Sequence, residues 1–93
     1  MANHRSAAKK ARRDAVRRLR NRFWRKRMRT FIKRFRATLG EGDVDRAREM
    51  LPRVLGLIDR TARAGVIHDN TASRYKSRLQ NAFNKIAAAR DAS

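Results

Sequence analysis

The residues best equipped for chemistry in this chain are cations, and they come in helical series. Between Arg5 and Arg27 the bases Lys9, Lys10, Arg12, Arg13, Arg17, Arg18, Arg20, Arg22, Arg25 and Lys26 occupy every side of a helical wheel. A second series, Arg74, Arg78, Asn81 and Lys85, falls at i, i+4, i+7 and i+11, which is one face of a helix. Cations repeated in this way are suited to the phosphates of a nucleic-acid backbone. Of the 26 bases, 20 are arginine, which favours bidentate phosphate contact and stacking over a diffuse charge cloud. A merely solubilising face is a serious rival reading for the second series. It does not account for the first, because solubility does not require sixteen bases against one acid in forty residues.

Catalytic chemistry has no comparable support. The two histidines, His4 and His68, are not spaced with a second His, Cys or carboxylate in a metal-ligand pattern. There is no glycine-rich phosphate loop and no nucleophile elbow. Asp45 and Glu49 beside Arg46, Arg48 and Arg53 read as ordinary surface pairing on a helix. The expectation is a non-enzyme with no metal and no cofactor.

Composition agrees. In 93 residues, 26 bases face 8 acids for a net charge of +18, a field that points to a polyanionic partner. The charge is concentrated: residues 1–40 carry +15, residues 41–70 carry −1 and residues 71–93 carry +4. This asymmetry describes a binding arm joined to a nearly neutral scaffold. The length fits one domain, and 41% hydrophobic residues can build only a thin core. The chain has no cysteine, consistent with a reducing compartment, and no apolar run as long as a signal segment or a membrane span, so a soluble protein is expected.

The elements that must position these cations are helices. Four glycines and one proline punctuate the chain. Gly40, Gly42 and Gly65 mark helix ends, and Asp43 and Asn70 stand where N-caps belong. The predicted helices run from Ser6 to Leu39, Val44 to Ala64 and Thr71 to Ala89, with the first about 50 Å long. Apolar stripes select the packing faces. They are Trp24, Met28, Phe31, Ile32, Phe35 and Leu39 in the first helix, and Val44, Ala47, Leu51, Val54, Leu55, Ile58 and Ala62 in the second. The third contributes Ala72, Tyr75, Leu79, Ala82, Phe83 and Ile86. Three such stripes with short connections specify an all-α, antiparallel three-helix bundle. Pro52 predicts a kink or short break in the second helix with its core face preserved, or else a helix that ends near Met50 and restarts.

The first half of the first helix is charged all round, and burying it would strand unpaired cations, so it must project. Its only apolar strip is Ala15, Val16, Leu19 and Phe23, rotated by more than a quarter turn from the Trp24–Leu39 stripe. Like charges at i,i+4 predict that this arm, residues 1–23, frays alone and orders on binding, while residues 24–93 form the bundle. Trp24 could stack on a base, but its place on the Phe31/Phe35 stripe favours core packing. Phe23 is open between packing and base stacking, and His68 between a base contact and a local turn bond.

The chain also resembles a known family. NHRSAAKKARRD followed by RRLRNR, RTFIKRFR at Arg29–Arg36 and above all GVIHDNTASRYKSRL at Gly65–Leu79 are similar to the bacterial small-subunit ribosomal proteins called S-twenty. The resemblance covers nearly the whole chain. It implies a three-helix bundle with a long first helix that binds small-subunit ribosomal RNA directly and early in assembly, in the cytoplasm, with few protein contacts. It also implies an RNA-facing set of Asn3, His4, Arg5 and Ser6 together with the arm residues Lys9, Lys10, Arg12, Arg13, Arg17, Arg18, Arg20, Asn21, Arg22, Arg25, Lys26, Arg27 and Arg29. Around the third helix the resemblance adds His68, Asn70, Thr71, Arg74, Lys76, Ser77 and Arg78, and the helical series itself adds Lys85. Two features depart from the family pattern: Phe23-Trp24, where small or polar residues are usual, and Pro52.

The nearest rival is a histone-like protein that compacts DNA. A basic leucine zipper fails because Gly40, Gly42 and Pro52 interrupt the register and no leucine heptad follows. A membrane-surface helix needs a broad apolar face that the arm lacks. A mitochondrial transit peptide does not continue into a core-forming helix.

Overall fold

A computed structural model describes residues 2–92, with side chains described from Ser6 onward. Three helices account for nearly all of it: α1 (Ala2–Gly40), α2 (Val44–Arg63) and α3 (Asp69–Ala92). No strand occurs among the described residues. Helix α1 begins earlier than Ser6, and its 39 residues make a rod of about 58 Å. The molecule is accordingly long, 73 × 21 × 15 Å, with a radius of gyration of 18.5 Å where a compact domain of this size has about 12 Å.

Both turns close by the same device. Gly42 takes φ 75°, its N–H donates to the Leu39 carbonyl at 3.0 Å, and the Asp43 N–H donates to the Thr38 carbonyl at 3.3 Å. Gly65 takes φ 78° and repeats the pattern, with its own N–H on Ala62 O at 2.9 Å and that of Val66 on Thr61 O at 3.2 Å. This is the Schellman closure, in which a left-handed residue turns the chain back onto the last helical carbonyls. The residue doing so after α1 is Gly42, not Gly40, which stays helical. Asp43 then caps α2, its Oδ1 accepting the Arg46 N–H at 3.2 Å.

Helix α2 runs unbroken through Pro52. Pro52 cannot donate to the Arg48 carbonyl, but both residues lie on the exposed side of the helix, where water can satisfy that oxygen. The predicted core face is preserved, and the restart at Pro52 is not what the chain does.

The core runs from Met28, Ile32, Phe35 and Leu39 of α1 through α2 to Ala72, Leu79, Phe83 and Ala87 of α3. Helix α2 is the central element: it packs along both neighbours, while α1 and α3 meet only slightly. For that reason α2 buries a wider arc than its predicted stripe, adding Leu57 and Thr61 on the side away from Leu55 and Ala62, which are only half-buried. Thr61 is completely buried because its hydroxyl donates to the Leu57 carbonyl at 2.7 Å. Thr38 does the same with Arg34 O at 3.0 Å and also meets Met50 Sδ at 3.4 Å. Among the described residues no buried side-chain polar atom lacks a partner.

Trp24 differs from its predicted place. It is half-buried and lies outside the core cluster, which begins a turn later at Met28. At its level α2 has already ended and the chain is turning through Gly65, so the facing apolar surface has run out.

Candidate nucleic-acid interface

A single helix, α1, carries most of the exposed positive charge. The fifteen bases from Lys9 to Arg36 are all exposed. Among the described residues the ion pairs lie on α2 and α3, and none involves α1. The reason is compositional: α1 has Asp14 as its one acid, so its own helix offers its many cations a single carboxylate.

Along one side of α1 these cations gather into a shallow groove. Arg18, Asn21, Arg22, Arg25, Lys26, Arg29, Thr30 and Lys33 line it, at spacings of three and four that keep them on one face. Six of the eight are cationic, and the groove continues past the arm into the half of α1 that packs on α2. Lys33 and Thr30 are additions to the predicted set, which stopped at Arg29. Their signal was present in the sequence, since Lys33 follows Arg29 at i+4 and Lys26 at i+7.

The α2–α3 turn is fastened to this groove. Arg25 Nη2 donates to the Val66 carbonyl at 3.4 Å, bridging α1 to the turn and bringing His68 and Asn70 to the arm end of the bundle. His68 has a defined local task. Its carbonyl accepts the Ala72 N–H at 3.0 Å and its Nδ1 accepts the Asn70 N–H at 3.0 Å, so His68, not Asn70, is the N-cap of α3. The helix therefore starts at Asp69, two residues earlier than predicted. With Nδ1 accepting, the ring proton resides on Nε2, and the exposed side chain offers that N–H to a partner. Thr71 is half-buried in the first turn.

Helix α3 presents its own row. Arg74, Arg78, Asn81 and Lys85 are all exposed, as is Ser77 beside them, and they lie on the side away from Leu79 and Phe83. Lys76 does not join them: its Nζ lies 2.7 Å from Asp59 Oδ1 of α2, tying two helices together. At the far end, Arg90 Nη1 donates to Asp45 Oδ1 at 3.0 Å. That hydrogen bond and the charge of Arg90 hold the Asp45 carboxyl below its ordinary range. The side chains of Asn3, His4 and Arg5 lie outside the described residues, and Ser6 is exposed.

Among the described residues no three His, Cys, Asp or Glu side chains gather as metal ligands, and no helix is long and apolar enough to cross a membrane. The geometry is that of a cationic rod fastened to a small bundle. Comparison with known proteins shows where it belongs: the family model described as ribosomal protein S20 matches residues 2–84. The chain belongs to that family. It is 49% identical over 85 residues to small ribosomal subunit protein bS20 of Aquifex aeolicus (strain VF5), covering 91% of this chain and 90% of that one. The protein of the same name from Thermomicrobium roseum is 46% identical over 90 residues, covering 97% and 91% of the two chains. That from Magnetococcus marinus is 46% identical over 89 residues, covering 96% and 97%. Within the S20 family match lie the α1 groove, the capped turn and the row from Arg74 to Asn81, whereas Lys85 falls just beyond it.

Proposed function

We propose that this protein is a structural constituent of the small ribosomal subunit that binds its ribosomal RNA directly and stabilises the RNA fold during assembly. The observation that carries this reading is the set of fifteen exposed α1 cations with no carboxylate partner, in a chain of the S20 family. The role is structural, not enzymatic. The arm, residues 1–23, reaches between RNA helices and neutralises phosphates that would otherwise repel, while residues 24–93 form the bundle that anchors it. The α3 row of Arg74, Arg78 and Lys85 takes a second RNA segment, with Ser77, Asn81 and the His68 Nε2–H as shorter-range contacts. Structured RNA hides its major groove, so recognition rests on phosphates, 2′-hydroxyls and tertiary shape. The protein needs few contacts with other ribosomal proteins, because RNA is the partner its charge selects.

Footprinting of purified small-subunit ribosomal RNA at 150 mM salt with excess competitor RNA tests the reading. The expected result is a compact set of protections, part of which disappears when residues 1–22 are deleted. With about eight phosphates neutralised, affinity falls by about four orders of magnitude between 50 and 200 mM salt. Diffuse protection that the competitor abolishes, or a preference for duplex DNA at matched salt, would replace this reading with that of a non-specific nucleoid protein.

A further inference from the structure

The arm carries one feature that phosphate binding does not use. Val16, Leu19 and Phe23, at i, i+3 and i+7, leave 67%, 68% and 61% of their surfaces exposed. They are the large apolar side chains most open to water among the described residues, and α1 turns them away from its core stripe. Phe23 is the most specific of the three. Its ring meets that of Trp24 edge-on, with centroids 6.5 Å apart and planes at 80°. Trp24 is half-buried, and the next residue, Arg25, is bonded to the α2–α3 turn. Phe23 is therefore an aromatic ring held at a fixed height, where the free arm meets the anchored bundle.

Its neighbours say what covers it. Arg20 stands one turn before it, Lys26 and Arg27 one turn after, and all three are exposed. A protein seated on this strip would have to pair or bury those cations around three apolar side chains. RNA satisfies both at once, with phosphates on the cations and a base on the ring. We infer that Phe23, backed edge-on by Trp24, is a stacking platform for an unpaired base of the bound RNA. The inference rests on the RNA-binding reading above and adds position to it. Phosphate contacts tolerate sliding along the backbone, whereas a single ring at the arm's root fixes one nucleotide against it.

The test is binding of the full chain to purified small-subunit ribosomal RNA across a salt series, comparing the wild type with Phe23→Tyr, Phe23→Leu and Phe23→Ala. Because Phe23 is exposed, the three variants keep the fold, which circular dichroism and the thermal midpoint check. The expected result is that Tyr binds like the wild type while Leu and Ala bind about ten- to a hundredfold more weakly at every salt concentration. The salt slope stays unchanged in all three, whereas Arg20→Ala lowers it by about one. Specific binding by the wild type with Leu and Ala equally tight would overturn the stacking role alone and leave the strip to a protein neighbour or to solvent. Full affinity in Leu with a loss only in Ala overturns it too, since that pattern is apolar contact without a π face. A wild type that shows no specific binding overturns the RNA-binding reading itself.

Discussion

Two halves of one continuous helix behave as if they belonged to different proteins. From Ser6 to Arg20 every α1 side chain is exposed except the half-buried Asp14, whereas from Met28 to Leu39 the helix buries five residues against its neighbours. Backbone geometry is the same on both sides of the divide. What changes is the arrangement of side chains: the first half spreads its charge all round, and the second confines apolar groups to one stripe. A helix can be held by its own hydrogen bonds, but only a stripe gives it something to pack. The arm is thus surface with no interior, and no tertiary packing adds to its helical hydrogen bonds.

The contrast is broken most forcefully by truncation in each half. Phe35→Ala, at a completely buried position, should destabilise the fold by about 3–5 kcal/mol. Leu19→Ala, on the arm, should change it by less than about 0.5 kcal/mol. Denaturant unfolding reads both, and a comparable loss in Leu19→Ala would mean that the arm packs on protein after all. Glycine substitutions sharpen the comparison within the bundle half, by separating turns from helix interior. Gly65→Ala forces a side chain into the left-handed region and should cost about 1–2 kcal/mol. Gly56→Ala, in open space on α2, should instead gain about 0.5–1 kcal/mol, raising the thermal midpoint. Equal effects at the two sites would deny the turn its role in setting the boundary.

The smallest effect concerns acid, and only the bundle half should feel it. Asp45 binds its proton more weakly in the folded chain than its ordinary value of 3.8, chiefly because of the hydrogen bond from Arg90. A carboxyl depressed on folding stabilises above its unfolded value, and that contribution is lost as pH falls through the folded one. Asp45→Asn should therefore flatten a slight decline of the thermal midpoint between about pH 5 and pH 2 and leave pH 7 binding to RNA unchanged. The pair is exposed and screened, so the change is small, and high salt should erase it.

Much of this molecule is legible without coordinates. The number of helices, both glycine turns, the Asp43 cap and the α1 core stripe follow from local rules of periodicity and backbone conformation, which act over a few residues. So does the nature of the partner, because charge density along a chain does not depend on how the chain folds. The family motifs are equally local, and GVIHDNTASRYKSRL identifies its relatives before any packing is considered.

The remainder depended on which residues stand opposite one another. Leu57 and Thr61 enter the core because α2 is packed on two sides, a fact written in no single helix. Trp24 carries the right periodicity yet leaves the core because α2 stops short of it. Lys76, which only the family resemblance singled out, stands off the Arg74–Lys85 series and meets Asp59 across the α2–α3 seam. His68 becomes a cap through a lone pair aimed at Asn70, and Arg25 reaches a carbonyl 41 residues away. Sequence determines what each helix offers on each face; tertiary structure decides which offers are met, because a contact depends on both partners and only the fold brings them together.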